Sequence, residues 1–308
     1  MKRHADYKDS DLQPTPEEIE TLQKYRKRSW LSETWRGLRK NKGAVAGLVI
    51  LVILLLLVIF ADVLYDYDTV VIMPNYAETL QHPSLKHPFG TDEFGRDVLA
   101  RIIHGGRYSL LIAAAVTAIS LPVGGIIGAY SGYIGGKFDA VVMRIMDIFL
   151  AIPNMLLALA IVAALGPSMF NLMIAIAISN VPTYARILRS SVLSIKGTEF
   201  IEASRAAGAG TGTIVFREVI PNCLAQVIVQ ASISAAYVIV LAATLSFIGL
   251  GVQPPSPEWG AMLSSGREYM RNNNYLVLFP GLAIVITVIA LNLLGDGLRD
   301  AMDPRLKK

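Results

Sequence analysis

Charge is scarce in this sequence. Only 17% of its 308 residues are Asp, Glu, Lys or Arg, where a soluble domain carries about a quarter. Cysteine is nearly absent, with Cys223 the only one. A single cysteine excludes an internal disulfide and any cysteine-cluster metal site, and it reads as a small apolar helix residue. The four histidines, His4, His82, His87 and His104, lack a ligand spacing such as His-x-x-x-His, so no metal site is expected in this chain. A phosphate loop is missing too. Gly208-x-Gly210 would need a further glycine where Thr213 stands, and the Walker pattern fails around Gly136-Lys137, with Ser131 and Phe138 at the required positions. No nucleophile–base pair stands out. The chain is therefore expected to be non-catalytic, without a cofactor of its own and without a nucleic-acid partner.

Hydrophobic residues are plentiful, at 53%, and mean hydropathy is +0.49. This balance points to an all-α polytopic membrane protein. A spanning helix needs about 20 apolar residues, and the uncharged runs predict six spans. Gly43 to Ala61 is the first. Tyr108 to Gly136 holds the second. The run from Ile148 to Ala185 is too long for one span and is broken at Gly166-Pro167-Ser168, giving spans three and four at about 138–164 and 169–192. Span five covers about 222–249 and span six Asn272 to Gly295. Pro153, Pro182 and Pro280 are expected to kink their spans. The first 42 residues are polar and show no secretory signal. Glu17 to Arg28 is predicted as a charged helix, and Trp30 and Trp35 with Arg36, Arg39, Lys40 and Lys42 form an interfacial collar.

Between spans four and five lies a polar, glycine-broken island, Glu199 to Asn222. Thr198 is a plausible N-cap, and Glu199 and Glu202 fall in the first turn, where carboxylates suit the helix dipole. Phe200, Ala203, Ala206 and Ala207 share a small-residue face. Gly208, Gly210 and Gly212 stop this helix and permit a sharp turn. Ile214, Val215 and Phe216 begin a second short segment, and Pro221 marks the start of span five. Spacing alone leaves two readings open: a helix presented to a groove in a partner, or an amphipathic loop on the membrane surface. With six spans the island shares a side with both termini. That side carries 22 Lys and Arg against six on the other, so it is expected to be cytoplasmic.

Glu202-Ala203-Ser204, then Gly208, then Ile220-Pro221, resembles the EAA loop of bacterial ABC-importer permeases, Glu-Ala-Ala-x3-Gly-x9-Ile-x-Leu-Pro. Ser204, Glu218 and Ile220 depart from that pattern, and Glu218 puts a charge where the family has isoleucine. Further motifs look like the C-type permease subunit of dipeptide and oligopeptide importers. They are His87-Pro88-Phe89-Gly90-Thr91-Asp92-Glu93-Phe94-Gly95-Arg96-Asp97 with Arg101, and Leu245 to Pro255 with Glu258-Trp259-Gly260. The third is Asn292 to Asp300 with Asp303-Pro304-Arg305. The resemblance covers residues 30 to 308 and implies the type I ABC-importer permease fold. The expected organisation is a tail and collar at 1–42, a first membrane helix at 43–62, an extracytoplasmic segment at 63–107, a permease core at 108–297 with a cytoplasmic loop at 193–221, and a tail at 298–308.

The same resemblance implies partners: a homologous B-type permease subunit, two cytoplasmic ATPases using ATP and magnesium, an extracytoplasmic binding protein, and membrane lipid. Glu199, Glu202, Ala203, Ser204, Ala207, Gly208 and Pro221 would carry ATPase coupling. Related importers move dipeptides, longer peptides, glutathione or nickel. The rival class is a stand-alone secondary transporter, which predicts inverted repeats or midplane carboxylates, and the carboxylates here cluster near span ends. Inside the spans, Arg144 and Asp147 are spaced to pair on one helix face. Asn154, Asn180 and Asn292 would line the pore or cross-link helices. Glu258 and Trp259 are candidates for contact with the binding protein or for capping the bundle.

Overall fold

The computed structural model describes residues 30–302. The predicted helix at Glu17–Arg28 and the Asp303-Pro304-Arg305 motif lie outside the described residues. Most of the described chain between those limits is helical, because long apolar runs can hide their backbone polar groups in a bilayer only by bonding them internally. The helices are α1 (Trp30–Lys40), α2 (Lys42–Ile59), α3 (Val98–Ile134), α4 (Gly136–Leu150), α5 (Asn154–Leu165) and α6 (Met169–Ile195). The short α7 (Glu199–Ala206) follows, then α8 (Thr211–Phe247), α9 (Trp259–Gly266) and α10 (Tyr275–Met302).

Four of these, α2, α3, α8 and α10, are long and apolar enough to cross a membrane, and a fifth is added if α4 and α5 count as one bent span. The count of six is not reached on these terms. The one expected crossing left over, span four, falls on α6, which is 27 residues long but is diluted by Asn171, Asn180, Arg186 and Arg189. Expected span three is also not one rod. α4 and α5 meet at 83°, because Pro153 has an extended ψ of 131° and starts a new helix instead of continuing the old one. Pro182 and Pro280 sit inside uninterrupted helices. The break at Gly166 is present, and Ser168 caps α6 by accepting the Asn171 N–H.

Helix α3 starts ten residues before the expected span, at Val98 after the N-cap Asp97, whose carboxylate accepts the Ala100 N–H. The polar residues that set the expected boundary find carbonyl partners. Arg107 Nε donates to Val58 O at 2.9 Å, and Arg101 donates to Val71 O at 2.7 Å. His104 Nε2 lies 2.9 Å from Tyr65 O.

The bundle is built on the contact between α3 and α6. Gly124, Gly128 and Gly132 recur every fourth residue on one face of α3. A Cβ on Gly124 would lie 2.4 Å from Val181 O, and one on Gly128 only 2.1 Å from Ala185 O. Small residues at this spacing let two helix backbones touch. α10 packs in the same manner on α2, with Gly47 against Ala290 O and Gly297 against Ala44. α1 lies against the end of α10, where Gly37 meets Ala301 and Asn41 Nδ2 donates to Asp300 Oδ2 at 3.1 Å.

The seam yields a direct expectation. Gly128→Val should cost about 1–3 kcal/mol through overpacking and lower the thermal unfolding midpoint in detergent. Gly125→Ala, whose added carbon meets nothing nearer than Leu188 at 3.8 Å, should leave that midpoint unchanged or raise it. Equal midpoints for the two variants would refute the seam as the limiting contact.

Candidate functional site

Helix α7 is eight residues long and polar, too short to persist alone in water. Its hold on the bundle is one side chain. Ile201 is fully buried, in a cluster with Ala129 of α3, Leu188 and Val192 of α6, and Ile214, Val215 and Val219 of α8. Arg205 adds a peripheral contact, lying over the Tyr133 ring at 5.6 Å. The rest of α7 faces outward: Glu199, Glu202, Ala203 and Ala207 are exposed and Ser204 is half-buried. Phe200 is 41% exposed. Gly208 then reverses the chain at φ +81°, a left-handed conformation that strains any residue with a Cβ.

Two local expectations are corrected. Thr198 precedes α7 but makes no side-chain cap. Its Oγ1 instead donates back to Ile195 O at 2.7 Å. The second short segment is not separate from span five. It runs into one helix, Thr211–Phe247, through a π-turn at Val215–Val219. The wide turn bonds Ile220 N–H to Val215 O, which makes room for exposed Pro221 inside a continuous helix. Glu218 lies in this π-turn, half-buried, and its carbonyl accepts the Asn222 amide at 2.6 Å.

The end of α6 that leads into the island is tied to α4 by ion pairs. Asp139 of α4 receives a two-pronged bond from Arg189 of α6, with both N···O distances 2.6 Å, and Ser131 of α3 donates to the same carboxylate at 2.5 Å. A bidentate arginine bond fixes geometry as well as charge. Asp147 does not pair with Arg144. It accepts from Arg186 of α6 at 2.6 Å, because α4 runs alongside α6 and a tertiary partner replaces the one on its own helix. Lys196 Nζ reaches Gly132 O at 3.3 Å. The stem leading into α7 is therefore clamped to α3 and α4.

Deeper in the bundle, Asn154 Nδ2 donates to Asn180 Oδ1 at 3.0 Å, so these two cross-link α5 and α6. Asn292 is exposed on α10 and is not brought to them.

At the far end, Trp259 and Glu258 are inside the chain, 2% and 1% exposed, so neither offers a surface to a binding protein. Trp259 Nε1 donates to Ile102 O at 2.9 Å. Glu258 is the N-cap of α9, accepting the Ala261 N–H at 2.9 Å and the Ser109 hydroxyl at 3.3 Å. Burial raises its carboxyl above the usual range. Beside it, buried Asp92 takes Arg96 at 2.7 Å and Arg101 at 3.4 Å, and burial also raises the Glu93 carboxyl. The glycine seam and Ile201 were the residues that sequence reasoning passed over. The fourfold glycine spacing was a usable signal for the first, while a lone isoleucine in a polar helix carries none.

Residues 124–308 match the family described as binding-protein-dependent transport system inner membrane component, and residues 29–83 match the N-terminal TM domain of oligopeptide transport permease C. The chain is 46% identical over 280 residues to the dipeptide transport system permease protein DppC of Alkalihalophilus pseudofirmus, covering 89% of this chain and 90% of that one. It is 45% identical over 281 residues to the di/tripeptide transport system permease protein DppC of Pseudomonas aeruginosa, covering 90% and 93%. The glutathione transport system permease protein GsiD of Pectobacterium atrosepticum is 40% identical over 275 residues, covering 89% and 91%. Among solved structures, an inward-facing conformation of the MetNI methionine ABC transporter matches with a TM-score of 0.55 and 22% identity, over 67% of this chain and 98% of that chain. At that identity the likeness concerns the fold.

The buried cap carries a pH signature. Far above the raised value, both folded and unfolded chains hold Glu258 as carboxylate and only the folded one bears its burial cost. As pH falls toward the ordinary glutamate value of 4.5, the folded chain takes the proton first, so stability should rise through that window. Glu258→Gln keeps an oxygen for Ala261 and should flatten this part of the profile. Unfolding midpoints of both proteins across that window test it; parallel profiles would contradict the assignment.

Proposed function

The chain belongs to the family of inner membrane components of binding-protein-dependent transport systems, and from that premise we propose that it forms half of the pore of an ATP-driven peptide importer and receives its drive through α7. Curated relatives named for dipeptide and di/tripeptide transport support peptides as the cargo. The observation that carries the coupling role is the combination at α7: an EAA-type sequence on a helix held by one buried side chain, with its Glu199, Glu202, Ala203 and Ala207 face uncovered. A groove on a partner ATPase is the natural cover for such a face. Ser204 and Gly208 set the end of that helix, and Pro221 sits where the movement passes into α8. On this reading the chain crosses the membrane six times with both termini and α7 in the cytoplasm. A homologous permease completes the pore, two ATPases supply ATP and magnesium chemistry, and an extracytoplasmic binding protein delivers the peptide.

ATP can switch the pore only if the closed ATPase pair binds one pore state better than the other. The clamp of Asp139 on Arg189 makes the α7 stem move with α3, α4 and α6, so a shift of the docked helix becomes a shift of the bundle. Glutathione, itself a tripeptide, is the second reading, favoured by the relative named for it.

Affinity purification in mild detergent and uptake in vesicles test the proposal together. The intact chain should co-purify with an ATPase and support ATP-dependent uptake of dipeptides. Glu202→Lys and Gly208→Asp should each lose the ATPase and drop uptake to background, with the unfolding midpoint close to the parent for Glu202→Lys and modestly lowered for Gly208→Asp by its left-handed backbone. A chain recovered without any ATPase would sink the importer reading, and normal uptake in both variants would remove α7 from the coupling.

A further inference from the structure

A cavity of about 750 Å³ opens between the ends of α6, α8 and α10 at the same end of the bundle as α7. Its volume falls in the range of small-molecule sites, roughly 300–1,000 Å³. The walls are apolar at Ile187, Val229 and Ile233 but carry a row of uncharged hydrogen-bonding groups. Gln226 and Gln230 lie one helical turn apart on α8, about 6 Å along the axis. The carbonyl oxygen of Gln226 is taken by the Ser191 hydroxyl, and the amide nitrogen of Gln230 is taken by Ser234 at 3.0 Å. Gln226 is thus left with N–H donors and Gln230 with a carbonyl acceptor, neither bonded among the described residues. Asn222 likewise has its amide nitrogen on Glu218 O and its oxygen free. At the rim stands Arg299, exposed and without a partner among the described residues.

Alternating donors and acceptors about one turn apart are the complement of a peptide main chain, which presents one N–H and one C=O per residue. Neutral amides recognise that backbone whatever its side chains are. A cation beyond them matches a terminal carboxylate. An acyl chain would find these polar groups a poor wall, since each would lose its water without gaining a partner. We propose that this cavity is a peptide subsite on the transport path, where the amides of Gln226 and Gln230 engage the main chain and Arg299 takes the C-terminal carboxylate. The proposal rests on the importer reading, and the homologous permease would close the open side.

The test uses the assembled transporter in phosphatidylcholine vesicles. A Cys223→Ser background removes the chain's own thiol, and Val229→Cys or, separately, Ser194→Cys provides a probe for maleimide labelling. Dialanine should slow labelling at both positions. Its C-terminally amidated form should protect about tenfold less well, the worth of one charge-assisted hydrogen bond, and Arg299→Gln should remove that difference. Peptide uptake with no protection at either position overturns the subsite. Equal protection by the free and amidated peptides overturns the role of Arg299. Labelling that responds to added phosphatidylglycerol and not to peptide assigns the cavity to a lipid headgroup and overturns the proposal. Absence of any ATP-dependent uptake in the parent complex overturns the importer reading, and this one with it.

Discussion

Direct backbone contact between α3 and α6 is the constraint on which the other arrangements depend. With no Cβ at Gly124 and Gly128, the two helices approach until atoms that would be side-chain carbons elsewhere are replaced by carbonyls of the neighbour. That closeness sets the height of everything at the island end. It brings Ser131 of α3 within reach of Asp139, and Asp139 within reach of Arg189. It places Ala129, Leu188 and Val192 around one hole, and Ile201 fills it. The orientation of α7 is thus inherited from a helix contact well inside the bundle.

The far end solves a different problem. The segment between α2 and α3 has only short helical turns, and its backbone is held by charged side chains. Arg101 donates to Val71 O and to Pro255 O, and meets the Asp92 carboxylate. Three stretches far apart in sequence are thereby joined at one guanidinium. Asp97 similarly caps α3 while its other oxygen sits 2.8 Å from His87 Nδ1. Charges that would be costly alone in the bundle are spent here on carbonyls and on each other.

What was legible in the sequence follows from this. Uncharged runs located α2 closely, because apolarity there faces the surroundings on most sides, and they found α8 and α10 but missed the polar first turns of α8 and the polar last turns of α10. The same rule placed the start of α3 too late, since Arg101, His104 and Arg107 are inside the helix and answered by carbonyls. Pro153 was recognisable as a disruption but not as an 83° turn, which depends on how α4 and α5 each find a face of α6. The reading of α7 succeeded because acidic residues at its start and a glycine after its end are local signals. Arg144 and Asp147 misled, since helical spacing says which residues share a face and not which neighbour lies opposite. Gln226 and Gln230 were visible as amides at helical spacing in an apolar run, yet only the packing of α6 and α10 shows that they border a cavity. The helix end and chain reversal at Gly208 were readable from Glu202 through Gly208, where chain geometry is specified within seven residues.

The uninterrupted helix from Thr211 to Phe247 has a mechanical meaning beyond its hydrogen bonds. Its 37 residues make a rod about 55 Å long, so a tilt of roughly 5° about one end carries the other through about 5 Å. Its first turns pack beneath α7 and its last turns pack against α9. A displacement of its first turns would therefore be carried across the bundle's length by the rod itself, without a relay of side-chain rearrangements. The regular hydrogen bonding changes only at the wide turn at Val215–Val219, which packs against Ile201 of α7 and leaves the long arm whole.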